Sequence, residues 1–133
     1  MNRVYLDSCF VIYLLEETPL FSRQARRFFG ENSDLQVCVS PLVRLEVLTK
    51  PLRDNNVSLV GDYEYFLASL ELLSINDEIF HRALHFRARQ RLKTPDALHL
   101  ATAQYHACSE FWTNDDRLKE AAGAMAVNVF TGM

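Results

Sequence analysis

Four acidic residues of this chain stand where an acid is costly unless something pairs with it: Asp7, Glu46, Asp96 and Asp115. Asp7 ends the apolar run Val4-Tyr5-Leu6, and Asp115 follows Phe111-Trp112-Thr113-Asn114, a second apolar run that breaks into a turn. At about 100° per residue, Glu46 shares a helical face with Leu42, Leu45 and Thr49, while Asp96 shares one with Leu100, Ala103 and Ala107. A lone carboxylate on an apolar face is either destabilising or forced to take up a proton. A hard divalent cation removes that penalty. An all-oxygen donor set with no His/Cys cluster favours Mg²⁺ or Mn²⁺ over zinc. The histidine pairs His81/His85 and His99/His106 lack both the glutamate of HExxH and a third ligand at a metal-binding spacing. His99, one turn beyond Asp96, is expected to orient or pack.

Each acid also has a local explanation. Asp96 near a helix start is favoured by the macrodipole. Asp115 in Thr-Asn-Asp-Asp suits a turn or cap, and Asp116 suits a cap for the short helix that follows. Glu46 could pair with one of the arginines. Asp7 has the least local reason to exist. It is the occurrence of all four, on separate elements of one small chain, that points to a cation pocket.

The elements that must position these acids alternate along the chain. Strands are expected over Val4–Leu6, Leu35–Val39, Glu71–Ile75, Glu110–Thr113 and Met125–Phe130. Helices are expected over Cys9–Glu16, over Ser22–Phe29 with a stop at Gly30, from Ser40-Pro41 towards Lys50-Pro51, and over Asp62–Leu70. Further helices follow over Asp77–Arg91 behind Asn76, from Thr94-Pro95 onward, and over Asp116–Ala122. Ser40 and Thr94 each precede a proline and read as N-caps. Strands separated by helices of this length imply right-handed crossovers and an α/β fold, a mainly parallel sheet of about five strands sandwiched by helices. Ligands of such sheets bind beyond the carboxyl ends of the strands, where Asp7 and Asp115 are expected.

A length of 133 residues suits a single domain, 1–133, large enough to fold without disulfides. Cys9, Cys38 and Cys108 are an odd, scattered set and read as reduced thiols of a cytoplasmic protein. No apolar run reaches the roughly 18 residues of a membrane span. The net charge of −3 does not mark a general nucleic-acid binder, yet Arg82, Arg87, Arg89, Arg91 and Lys93 form a run without acids, and Arg23, Arg26 and Arg27 form a second group. Such stripes are either solvated helix faces or a track for a polyanion whose scissile phosphate approaches the acidic pocket. No GxSxG, P-loop or GxGxxG is present, which argues against a hydrolase triad, a nucleotide kinase or a dinucleotide enzyme.

Taken together, Val4-Tyr5-Leu6-Asp7-Ser8 before an apolar helix, the mid-chain Glu46, Pro95-Asp96-Ala97-Leu98-His99-Leu100-Ala101-Thr102-Ala103 and Trp112-Thr113-Asn114-Asp115 resemble the PIN domain. Within it they resemble the VapC-like toxins of toxin–antitoxin pairs, and the resemblance runs in order over essentially the whole chain. It implies a three-layer α/β/α fold and a Mg²⁺- or Mn²⁺-dependent endoribonuclease. Asp7, Glu46, Asp96 and Asp115 would be its catalytic quartet. Asp7, Asp96 and Asp115 would hold metal, Glu46 would be a further ligand or hold the attacking water, and Ser8, Thr113 and Asn114 would orient their neighbours. Arg87, Arg89, Arg91 and Lys93 are the candidates for RNA phosphates. The implied partners are an RNA, with transfer RNA the family's suggestion, a cognate antitoxin and a second copy of the chain. The stripe Tyr63-Phe66-Leu67-Leu70 is either that dimer face or core. The chain departs from the pattern at Cys9, where the family often has a small polar residue. A stand-alone PIN nuclease of RNA processing or DNA, and a non-cleaving scaffold marked by a missing acid, are the alternatives; no acid is missing.

Overall fold

Val4, Tyr5 and Leu6 are fully buried. That is the signature of a strand covered on both faces, whose sequence reads as a continuous apolar run rather than an alternating one. The computed structural model describes residues 2–32, 34–123 and 126–127. The elements are β1 (Arg3–Leu6), α1 (Ser8–Leu15), α2 (Ser22–Glu31), β2 (Gln36–Val39), α3 (Pro41–Arg53) and α4 (Val57–Ala68), then β3 (Glu71–Leu72), α5 (Asp77–Gln90), α6 (Thr94–Tyr105), β4 (Glu110–Trp112), α7 (Asp116–Ala122) and β5 (Ala126–Val127). The strands form one sheet in the order β3-β2-β1-β4-β5, with every neighbouring pair parallel. The rest of the expected final strand over Met125–Phe130 lies outside the described residues.

Right-handed crossovers in this order place α1 to α4 over one face and α5 to α7 over the other. The helix contacts agree: α1 packs on α2 and α3, α3 on α4, α5 on α6, and α6 on α7. Tyr5 stacks on Phe111 at 5.5 Å between ring centres, and Trp112 is flanked by Phe10 at 5.4 Å and Phe28 at 4.7 Å. Each buried aromatic contributes on the order of 1.5–3 kcal/mol through removal of its surface from water. Tyr63 is buried, and Phe66, Leu67 and Leu70 are partly buried against the core, so the stripe contributes to core packing while part of it stays at the surface.

Several local expectations are corrected. α2 runs through Gly30 to Glu31, and Pro51 lies inside the last turn of α3 rather than ending it. α4 starts at Val57, earlier than expected, because Asn56 caps it through a bond from Leu59 N at 3.2 Å. Asn76 caps α5 as expected, through Ile79 N at 3.0 Å. The cap position of α6 is Lys93, with Thr94 already helical and Pro95 in its first turn, so Thr94 does not cap. Ser40 does hold the cap position of α3, but its hydroxyl makes no capping bond. The α5–α6 turn closes on Arg91 in the left-handed region at φ 55°, which brings Arg91 and Lys93 to the end of the sheet that bears Asp96.

Candidate active site

The chain leaves β1 towards β2 on one side and returns to β4 on the other, so the carboxyl end of β1 is the switch point where open α/β sheets bind ligands. Asp7 occupies it. Its backbone N–H donates to Trp112 O at 3.0 Å, continuing the β1–β4 ladder by one rung. Its carboxylate caps α1: Oδ1 accepts from Ser8 N at 2.7 Å, while Oδ2 accepts from Thr113 Oγ1 at 2.8 Å and from Cys9 Sγ at 3.5 Å. Burial, followed by the charge of Asp7, pushes the Cys9 thiol far up. It therefore remains a neutral donor, and the departure at Cys9 leaves the hydrogen bonding to Asp7 intact. Thr113 Oγ1 also accepts from Asp115 N at 3.0 Å, so one buried hydroxyl ties the two acidic corners together. Thr113→Val keeps the shape and removes both bonds. It is expected to cost about 1.5–3 kcal/mol, the range for a hydrogen bond to a buried charge, read as a lower denaturation midpoint.

Glu46 reaches the same cleft from α3. Its helix buries Val43, Val47 and Leu48, while Leu45 is 62% exposed, so Glu46 stands at the edge of the apolar stripe and not in its middle. Its partner is His99 and not an arginine: Oε1 accepts from His99 Nε2 at 2.5 Å and from Ser8 Oγ at 2.6 Å, and Oε2 takes no hydrogen bond among the described residues. Burial alone would raise the Glu46 carboxyl, but the bond and charge of His99, helped by Ser8, bring it below its ordinary value. His99 is fully buried. Its Nδ1 meets Tyr5 Oη at 2.6 Å, which in turn meets Ser40 Oγ at 2.8 Å. Tyr5 and Ser40 were not legible as site residues, since the partners that define them are 35 to 94 positions away.

Asp96, in the first turn of α6, is half-buried and its carboxylate takes no hydrogen bond among the described residues. Its carboxyl is pushed above the ordinary 3.8, first by desolvation and then by the charges of Asp7 and Asp115, with Glu46 adding and His99 opposing. Asp115 is exposed and caps α7, Oδ1 accepting from Arg117 N at 2.8 Å and Leu118 N at 3.3 Å. The cap of α7 is thus Asp115, and Asp116 is its first helical residue. Asn114 Nδ2 donates to Tyr13 Oη at 3.0 Å.

These groups line one open cleft of about 530 Å³, formed by Asp7, Ser8, Cys9, Glu46, Asp96, Asn114, Asp115 and Asp116. A larger hollow of about 610 Å³ lies against Leu20, Arg23, Arg27, Phe28 and Glu31, but its lining mixes both signs of charge and holds a single carboxylate. Among the described residues, no lysine or arginine pairs with any of the four cleft acids. At the opposite end of the sheet the contrast is plain: Arg3 meets Glu71 at 2.6 Å. Carboxylates that converge on one cleft without a lysine or arginine partner are a donor set suited to a hard divalent cation. No three His, Cys, Asp or Glu among the described residues stand close enough to chelate an ion as they are placed. Of the basic candidates, Arg87 Nε donates to Leu92 O at 3.2 Å and closes the α5–α6 turn. Arg89, Arg91 and Lys93 are exposed, and no ion pair engages them among the described residues.

Comparison with known proteins agrees with this architecture. The PIN domain model matches residues 4–124. Ribonuclease VapC46 of Mycobacterium tuberculosis (strain ATCC 25618 / H37Rv) is 32% identical over 134 residues, covering 97% of this chain and 97% of that protein. Among solved structures, a toxin–antitoxin complex from Klebsiella pneumoniae superposes with a TM-score of 0.76 at 22% identity, over 95% of this chain and 97% of that one. VapC20 of Mycobacterium tuberculosis, described as a sarcin-ricin loop cleaving toxin, superposes with a TM-score of 0.75 at 15% identity, over 89% and 94%. With a family model spanning nearly the whole sequence and a relative of this identity over the full length, the chain belongs to the PIN domain family.

Proposed function

We propose that this chain is a Mg²⁺- or Mn²⁺-dependent endoribonuclease that hydrolyses RNA phosphodiester bonds, and that it is the toxin of a VapBC-type pair silenced by a cognate antitoxin. The observation that carries the proposal is the cleft itself: four carboxylates from β1, α3, α6 and the β4–α7 turn share it without a lysine or arginine partner among the described residues. The names of the full-length relative, a ribonuclease, and of the neighbouring toxin–antitoxin complex support the substrate class and the partner.

Asp7, Asp96 and Asp115, with Glu46, would hold the cation. When bound, it supplies Lewis acidity towards water and phosphate oxygen and neutralises charge that develops on the phosphate. Asp7 is fixed for this by Ser8 N, Thr113 and Cys9, and Asp115 is held at the mouth by the cap of α7. Glu46 Oε2 takes no hydrogen bond among the described residues and can accept a proton or a hydrogen bond from the attacking water. Arg89, Arg91 and Lys93, beside the first turn of α6, hold the flanking phosphates. An antitoxin group inserted among the acids would block the same cleft. We extend the proposal to a homodimer acting in the cytoplasm. No helix among the described residues is long and apolar enough to cross a membrane.

The test is incubation of a mixed cellular RNA pool, including transfer RNA, with Mg²⁺, Mn²⁺ or EDTA, beside the Asp7→Asn variant. Discrete fragments that require the metal and fall at least about 100-fold in rate in the variant are the expected result. Cleavage that persists in EDTA, or that is undiminished in Asp7→Asn, would overturn it.

A further inference from the structure

We infer that His99 is the positioning residue for Glu46, and that Tyr5 and Ser40 serve to hold His99 in the one orientation that does this. The inference rests on the proposed function of the cleft, since it concerns how one of its carboxylates is aimed.

Three elements contribute to the arrangement. His99 follows Asp96 by one turn of α6, so both side chains come off the same face of that helix, yet only Asp96 reaches solvent. Both imidazole nitrogens are engaged: Nε2 with Glu46 Oε1 at 2.5 Å and Nδ1 with Tyr5 Oη at 2.6 Å. An ionised carboxylate can only accept, so Nε2 carries a hydrogen whatever the charge of the ring. The ring is thereby oriented from both ends, as it is when a carboxylate orients a metal-bound histidine, except that here the histidine orients the carboxylate.

The far end of the chain of bonds is informative. Ser40 stands at the cap position of α3, where a serine hydroxyl ordinarily bonds a helix amide. Its hydroxyl instead meets Tyr5 Oη at 2.8 Å. The first turn of α3 is therefore anchored to β1 through Ser40, and the second turn is anchored to α6 through Glu46. Packing does not require any of this. Tyr5, Ser40 and His99 are all at most 1% exposed, and apolar side chains of similar volume would fill the space without the desolvation that polar groups carry. What apolar residues could not do is present a donor to Glu46 Oε1 and leave Oε2 turned to the cleft.

Two amide substitutions separate positioning from bulk. His99→Gln places a donor near the site of Nε2, and His99→Asn places one near Nδ1 and leaves Glu46 Oε1 with the Ser8 hydroxyl but without the ring that fixes its direction. With RNA and Mg²⁺, His99→Asn is expected to lose about 10- to 100-fold in kcat with KM little changed, and His99→Gln to stay within a few-fold of the unaltered protein. Equal rates for the two variants, or a loss in His99→Asn that only follows its melting temperature, would overturn the inference. A second readout needs no turnover. Imidazole ¹⁵N spectra of the unaltered protein should show the proton of His99 on Nε2, with its resonance displaced in Glu46→Gln. An unprotonated Nε2, or a signal indifferent to Glu46→Gln, overturns the inference even where cleavage is observed. If no RNA is cleaved at all, the proposed function fails, and the ¹⁵N spectra still decide whether His99 holds Glu46.

Discussion

Asp96→Asn is expected to abolish RNA cleavage, by at least about 100-fold, and at the same time to make the metal-free protein more resistant to denaturation at neutral pH. The two effects share one cause. The Asp96 carboxylate is half-buried, takes no hydrogen bond among the described residues, and is surrounded by Asp7, Asp115 and Glu46. Its negative charge suits a cation and burdens the free fold. An asparagine of the same shape removes that charge, and no hydrogen bond is lost with it.

The pH dependence fixes the sign. Desolvation and then the charges of Asp7 and Asp115 raise the folded-state pKa of Asp96 above the ordinary 3.8, so the folded protein holds this proton more tightly than the unfolded chain does. Below 3.8 both states are protonated and Asp96 imposes no penalty. As pH rises through the raised folded value the penalty develops in full, and stability falls. Glu46 works the other way. Its folded value lies below 4.5, so its contribution is present above 4.5 and is lost as pH falls through the folded value. Chemical denaturation of both proteins between about pH 3 and about pH 7 isolates Asp96, because the Glu46 slope is common to the pair. The variant should equal the unaltered protein at the acid end and exceed it at the neutral end. Added Mg²⁺ or Mn²⁺ should close the gap by stabilising only the protein that binds it. A variant less stable than the parent at neutral pH would show that the cleft acids are not mutually repulsive.

How far the sequence carried this site depends on the distance over which each residue finds its partners. Asp7 and Asp96 were legible because their oddity is local: an acid closing an apolar strand, and an acid inside Pro95-Asp96-Ala97-Leu98. The mainly parallel sheet followed from the alternation of strands and helices, and the continuous apolar run Val4 to Leu6 marked a buried strand, whereas the order β3-β2-β1-β4-β5 depends on pairings between distant segments. Misjudged details had local signals that a distant contact overrode. Ser40 before Pro41 has every mark of a capping hydroxyl, but Tyr5, far back in the chain, takes it. Glu46 was placed on an apolar stripe through Leu45, yet Leu45 is solvent-facing and Glu46 is held by His99, 53 positions on. Asp116 and Asp115 differ by one residue, and only the amides of Arg117 and Leu118 decide which of them caps α7. Thr94 lost the cap of α6 to Lys93 by the same margin, one residue, well within the uncertainty of reading a helix end from sequence.

Trp112→Ala is expected to have the largest effect on stability, about 3–5 kcal/mol, which is a large share of the roughly 5–15 kcal/mol that holds a domain folded. Trp112 is fully buried on β4, where Phe10 of α1 and Phe28 of α2 meet it at 5.4 Å and 4.7 Å, so its removal opens a cavity that three separate elements would have to move to fill. Its indole N–H is satisfied by Glu110 Oε1 at 2.9 Å, so truncation also strands an acceptor on the same strand. Trp112→Phe keeps a ring between Phe10 and Phe28 and should cost less than half as much. The denaturant midpoint, at constant slope, measures both. A cost below about 1 kcal/mol for the alanine variant would mean that the site collapses freely and that this cluster is not the keystone of the α1–α2 face. The consequence reaches the cleft as well. Trp112 O accepts the Asp7 N–H at 3.0 Å, and the next residue, Thr113, holds Asp7 Oδ2 at 2.8 Å. The rung of sheet that carries the acid is therefore secured by the same strand segment that carries the indole. Trp112→Phe, which preserves that segment, should cleave RNA at nearly the unaltered rate, whereas Trp112→Ala, assayed where it is still mostly folded, should lose rate in proportion to the freedom it returns to Asp7.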